Sequence, residues 1–193
     1  MILDNLFPST IGREDHPEWI DVLLPKVKDY FETQPSNADF YANGMTTHNM
    51  NIDLPTHPDY AEFCQFIMGK GRNFLELQGY DSGPIKFNPY FFLNYFKEGS
   101  AHGKHVHSQC TISGIFYLQT PPGSADIRFS PNQPFRDFFD YMFHVKDPTN
   151  WYAYQHFDYK PYPGLLMMWP AWLYHEVMPN QSTDPRISIV FNL

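Results

Sequence analysis

A chain of 193 residues buries roughly 70% of its unfolded surface in a single core, so one domain is expected and no disulfide staples are needed. Thirteen Lys and Arg against 21 Asp and Glu leave a formal charge of −8, which repels phosphate backbones and anionic membranes and argues against nucleic acid as a partner. With two cysteines in no C-x-x-C pattern, no leader-like start and no apolar run near the ~20 residues that span a bilayer, a cytosolic chain that does not enter membranes is expected.

The first half of the chain reads helical. Asp15 is placed to cap a helix entered through Pro17, with Ile20, Leu23, Leu24, Val27, Tyr30 and Phe31 at helical spacing. Pro25 is expected to kink this helix or to open a second segment, because it removes a hydrogen bond and clashes with the preceding turn. A second helix fits HPDYAEFCQFIMGKGRNFLELQGY, with Asp59 as its cap and Tyr60, Phe63, Ile67, Phe74 and Leu75 as its apolar face; Gly69 and Gly71 weaken its middle. Between the two, QPSNADFYANGMTTHNMNIDLP is turn-rich and reads as an irregular connection with short extended pieces.

From residue 84 onward the texture changes to short runs bounded by Pro, Gly, Asn and Asp. IKFNPYFFLNYFK, TISGIFYLQ, ADIRFS, LLMMWP and RISIVFNL read as strands. Eighteen Phe, 13 Tyr, 18 Pro and 11 Gly favour the same conclusion, most of the rings serving only to fill a core. The expected fold is mainly β with flanking helices, an antiparallel barrel or jelly roll. Residues 1–83 would be a mostly helical support and 84–193 the β core. Residues 131–151 form an insertion that is either a lid over a ligand or a surface Ω-loop.

Within HGKHVHSQC, His105 and His107 are separated by one valine. Residues two apart share a face on a strand and diverge by about 200° on a helix, so this pair can share one ion only if it is extended. His175, in WPAWLYHEV, is the best third ligand. His102 reads as a supporting or solvated residue, and His16, His48, His57, His144 and His156 as structural or surface residues. Three neutral imidazoles suit a catalytic zinc as well as a non-haem iron. Arg186 opens an apolar strand; pointing inward it requires an anion, either a bound acid or Asp184 or Glu176 at the rim.

These segments resemble a known family. YFKEGSAHGKHVH resembles a prolyl-hydroxylase stretch in which a Tyr precedes the iron motif by ten residues; here Tyr95 precedes His105, with Gly99 between. HVHSQCTISGIFYL, PGLLMMWPAWLYHEV and RISIVFN, in that order, are similar to a subgroup of 2-oxoglutarate oxygenases frequent in marine bacteria and their phages, and NLFPS resembles that subgroup's opening. The resemblance implies a double-stranded β-helix and a dioxygenase using Fe(II), 2-oxoglutarate and O₂ to hydroxylate a small-molecule or peptide substrate, in a bacterial or phage-infected cytoplasm.

It further implies that His105 and His175 are iron ligands and that Arg186 anchors the distal carboxylate of 2-oxoglutarate. Tyr95 or Tyr117 would add a hydrogen bond at that end. Trp169, Trp172 and Phe116 either wall the pocket or fill the core. His107 stands where aspartate is usual, which makes the iron more cationic and tightens its hold on anions. Three arrangements follow: a three-histidine triad, the favoured one; an open position, as in halide-binding relatives; or a carboxylate from Glu176 or Glu98. Two rivals need no 2-oxoglutarate: a cupin-like dioxygenase or zinc hydrolase, and a non-enzymatic jelly-roll binding module.

Overall fold

The computed structural model describes residues 2, 8–37, 43–50, 52–131, 142–143, 145–147, 150 and 155–193. Most of the 131–151 insertion and of the NLFPS segment therefore lies outside the described residues. In chain order the elements are β1 (Gly12–Asp15), a 3₁₀ turn (Pro17–Trp19), α1 (Ile20–Thr33), β2 (Met45–Thr46), α2 (Ala61–Leu77), β3 (Tyr90–Phe96) and β4 (His102–His105). There follow β5 (Ile112–Gln119), β6 (Ile127–Ser130), β7 (Phe157–Tyr159), β8 (Leu165–Pro170), β9 (Tyr174–Val177) and β10 (Arg186–Asn192).

The strands pair antiparallel throughout. They form a six-stranded sheet in the order β1-β8-β5-β10-β3-β2 and a four-stranded sheet in the order β4-β9-β6-β7. Because strand side chains alternate, each central strand serves two cores. Ile187, Ile189 and Phe191 of β10 join Leu23 and Val27 of α1 and Phe63 and Ile67 of α2 on the outer face. Ile115 and Tyr117 of β5 and Leu165, Met167 and Trp169 of β8 meet Ile127, Phe129 and Leu173 on the inner face, between the sheets.

The helix ends differ from expectation. Asp15 caps nothing: it ends β1, and its carboxylate accepts the Tyr162 hydroxyl. Asp59 is drawn into an ion pair with Lys26 (3.1 Å), and Tyr60 takes the N-cap position of α2 without a side-chain bond. Pro25 neither breaks α1 nor starts a new one; it lies on the exposed side, where the carbonyl freed by its missing N–H is next to water. The first 83 residues also supply more than helices, since β1 and β2 form the two edges of the large sheet. Among the described residues no helix is long and apolar enough to cross a membrane.

Gly114 permits the closest packing in the large sheet. A Cβ there would overlap the Phe191 ring and lie 2.6 Å from the Met167 carbonyl oxygen, both held within the paired sheet. Gly114→Ala is expected to cost about 2 kcal/mol or more by overpacking, read as a lower denaturant midpoint; an unchanged midpoint would show that the sheet yields there.

Candidate metal and acid-binding site

Strands β4 and β9 bring the first two histidines together, with His105 directly opposite His175. His107 lies just past the end of β4 rather than within it, but its N–H donates to the Ala171 carbonyl (2.9 Å), which keeps this segment against the β8–β9 turn. Val106 between them is exposed, as alternation requires. The ligand atoms of His105, His107 and His175 lie within 4.8 Å of one another, and the Nε2 atoms of His107 and His175 are 3.3 Å apart. Among the described residues this is the one group of three or more His, Cys, Asp or Glu side chains so arranged.

Two backbone bonds set which ring nitrogens are available. His105 Nδ1 donates to the Gly103 carbonyl (2.7 Å) and His175 Nδ1 to the Leu173 carbonyl (2.9 Å). Each leaves an Nε2 lone pair for a metal, the orientation that outer hydrogen bonds impose on ligating imidazoles. Burial also keeps the rings neutral. It pushes His175 well below the usual histidine value, His107 down to about 4, and His105 downward against the opposing bond to Gly103.

The neighbouring histidines are closer than the sequence suggested. His102 stacks on His105 with centroids 3.8 Å apart, and burial carries its pKa down to about 3. His48, read as structural, packs edge-on against Phe92 at 4.7 Å, near enough for His105 to contribute to its lowered pKa. No local pattern could have found it: His48 follows β2, and only the β2–β3 pairing sets that turn against Tyr90 and Phe92.

At the start of β10, Arg186 is fully buried. Its guanidinium carbon lies 4.8 Å from the Tyr117 ring centre and 5.4 Å from that of Phe96, yet Nε and both terminal nitrogens have no hydrogen-bond partner. Neither rim carboxylate claims it: Glu176 lies opposite Arg128 across β6 and β9, and Asp184 belongs to the turn before β10. The Tyr117 hydroxyl, the Ser188 hydroxyl and the Trp169 indole N–H are buried and unpartnered as well. Burial pushes the Tyr117 phenol up while nearby Arg186 pulls it partly back, although no bond of normal geometry joins the two.

Tyr117 is thus beside Arg186, and Tyr95 is not. Tyr95 registers with Ile187 and packs on Phe31 of α1, on the helix-facing side of the sheet. The ten-residue spacing misleads because the β3–β4 turn and the register shift between His102 and His105 interrupt strand parity. Asn94, one residue earlier, takes the inner-face position opposite Ser188. Its Oδ1 accepts the Thr46 hydroxyl (2.6 Å), leaving the amide nitrogen as the donor. Of the ring residues, Trp169 meets His175 edge-on at 4.8 Å, Phe116 belongs to the outer core, and Trp172 is half exposed. Glu98 is exposed in the β3–β4 turn, so neither suggested carboxylate joins the histidines.

The fold and the site together define a class, and comparison with known proteins agrees. Residues 91–192 match the model of the family described as "Putative 2OG-Fe(II) oxygenase", and the chain belongs to that family of enzymes. No curated protein sequence matches the chain. Its fold is the double-stranded β-helix of 2-oxoglutarate oxygenases. A Pseudomonas putida prolyl-4-hydroxylase is similar in structure with a TM-score of 0.64 at 12% identity, covering 97% of this chain and 94% of that one. A Trichoplax adhaerens prolyl hydroxylase, solved with a peptide fragment of hypoxia inducible factor, gives 0.63 at 9% identity over 97% and 84%. HygX from Streptomyces hygroscopicus, solved with nickel and 2-oxoglutarate, gives 0.63 at 9% identity over 95% and 82%.

Depressed histidine pKa values fix the direction of an acid effect. Between the ordinary value near 6.5 and the folded values of about 4 for His107 and about 3 for His102, the unfolded chain binds more protons than the folded one. The stability contributed by these neutral rings is complete above about pH 6.5 and is lost as pH falls toward 4 and below. Urea midpoints of the metal-free protein are expected to decline over this window, and His102→Gln to flatten the decline; an unaltered slope in that variant would exclude His102 as a source.

Proposed function

We propose that the protein is an Fe(II)- and 2-oxoglutarate-dependent dioxygenase in which His105, His107 and His175 hold the metal and Arg186 grips the distal carboxylate of the cosubstrate. The observation that carries this reading is Arg186, a fully buried guanidinium whose three nitrogens have no acceptor. A buried cation left unpaired costs several kcal/mol, and a two-oxygen carboxylate matches its fork of donors. A zinc hydrolase or a simple binding module does not by itself require such a group beside a histidine cluster.

Bound at these histidines, Fe(II) with 2-oxoglutarate and O₂ supplies oxidative chemistry in which the cosubstrate becomes succinate and CO₂ and one oxygen atom enters the substrate. The chain's own residues orient and shield. His105 and His175 are aimed by the Gly103 and Leu173 carbonyls. Tyr117 and Ser188 offer hydroxyls beside Arg186 for the remaining carboxylate lone pairs, and Asn94 offers an amide N–H on the same face. Trp169, Phe129 and Leu173 supply an apolar wall that excludes water and strengthens each of these charge-assisted bonds. With His107 in place of a carboxylate the protein ligands are all neutral, which raises the positive charge available to an anionic cosubstrate.

Anaerobic titration tests the reading. The parent protein is expected to bind Fe(II), then 2-oxoglutarate, and to release succinate on exposure to O₂; binding of iron without any binding or decarboxylation of 2-oxoglutarate sinks it. His107→Ala should lose iron affinity, whereas full retention would point to the open-position arrangement. Arg186→Met should keep iron and lower 2-oxoglutarate affinity by about 100-fold, as expected for removing a buried charged partner. Because the replaced charge is unpaired in the free protein, this variant is also expected to be at least as stable as the parent.

A further inference from the structure

A groove of about 590 Å³ borders His107. Its volume is within the range of about 300–1,000 Å³ typical of small-molecule sites. Phe74 and Leu75 of α2 and Ile112 of β5 line its apolar part, and Ser108, Cys110 and Thr111 line the side nearest His107. Tyr80 and Trp172, 62% and 50% exposed, also border it.

The wall carrying Tyr80 is built rather than incidental. Helix α2 ends in a left-handed turn at Gly79 (φ +87°), with Gly79 N–H donating to Glu76 O and Tyr80 N–H to Leu75 O. This turn separates Tyr80 from the end of α2 at Leu77. Arg72 then pins the following loop by donating to the Ser82 (2.6 Å) and Ile85 (2.9 Å) carbonyls, and the Ser82 hydroxyl donates to Glu76. Within that loop Asp81 Oδ1 accepts the Gly83 N–H (3.0 Å), which orients its carboxylate.

Asp81 is the single Asp, Glu, Lys or Arg among the described residues that line the groove. An organic cation would meet a carboxylate and the aromatic rings of Tyr80 and Trp172, groups that together suit an ammonium ion. We propose that this groove binds a small organic ammonium ion with an apolar body, and that it is the substrate side of the centre. The substrate role rests on the oxygenase reading above, through His107, which the groove and the histidine cluster share.

The test compares 4-phenylbutylammonium with 4-phenylbutyrate, probes with the same apolar body and opposite charge, by calorimetry on the intact metal-free protein. The ammonium is expected to bind about tenfold more tightly, as a carboxylate plus aromatic faces implies. Asp81→Asn, which retains an oxygen for the Gly83 N–H, should abolish the preference; thermal unfolding of the variant confirms that the loop survives. Cys110 lines the groove while Cys64 is buried, so bound ammonium should slow alkylation of Cys110 by iodoacetamide. Equal or reversed charge preference, a preference that survives Asp81→Asn, or binding that leaves Cys110 unprotected overturns the proposal. So does protection by a lysine-containing blocked pentapeptide without protection by the free ammonium, which would make the occupant a polypeptide side chain. None of these readings needs metal: failure to bind Fe(II) refutes the oxygenase reading and with it the substrate role, while loss of charge preference in an iron-binding protein refutes the groove alone.

Discussion

The arrangement of this protein depends on a cation held where water cannot reach it. Arg186 occupies the first position of β10, flanked on both sides by paired strands, and faces inward. Stacking against Tyr117 and Phe96 offsets part of the desolvation cost, at about 1–2 kcal/mol per ring, but leaves the guanidinium's N–H donors without acceptors. The remaining cost is carried by the outer face of the same strand, where Ile187, Ile189 and Phe191 close the core against both helices. Stability on one face of β10 thus makes room for a strained polar site on the other.

On the proposed reading, charge connects the two ends of the site. Neutral imidazoles surround the metal position, Arg186 stands at the far end, and a dicarboxylate spans them. Replacing the usual aspartate with His107 removes a negative charge from the protein, so the cosubstrate itself supplies more of the neutralisation. The stacking of His102 on His105 fits the same pattern: burial keeps the ring neutral, so it adds bulk and shielding without competing charge.

Much of the architecture was legible in local pattern. LLMMWP forms β8 over the same residues, TISGIFYLQ and RISIVFNL differ from β5 and β10 by a terminal residue, and the predicted apolar face of α2 is buried. These segments were readable because period and bounding turn residues act within a few positions. The helix caps were not, since Asp15 and Asp59 found better partners in Tyr162 and Lys26, far away in sequence. Tyr95 stands on the helix-facing side for a related reason: a turn and a register shift separate it from His105, so counting residues could not give its face.

The residue types and their order determined the chemistry on offer: an H-x-H pair, a distant histidine and an arginine at the start of an apolar strand. Tertiary structure decided which of those groups meet. It placed His107 beside His175, left Arg186 without an acceptor among the described residues, set Tyr95 on the helix-facing side of the sheet with Tyr117 beside Arg186, and packed His48 against Phe92. Alternation along one strand is a property of the local chain, but the face a residue shares with another strand depends on register, turns and bulges, which only the assembled sheets specify.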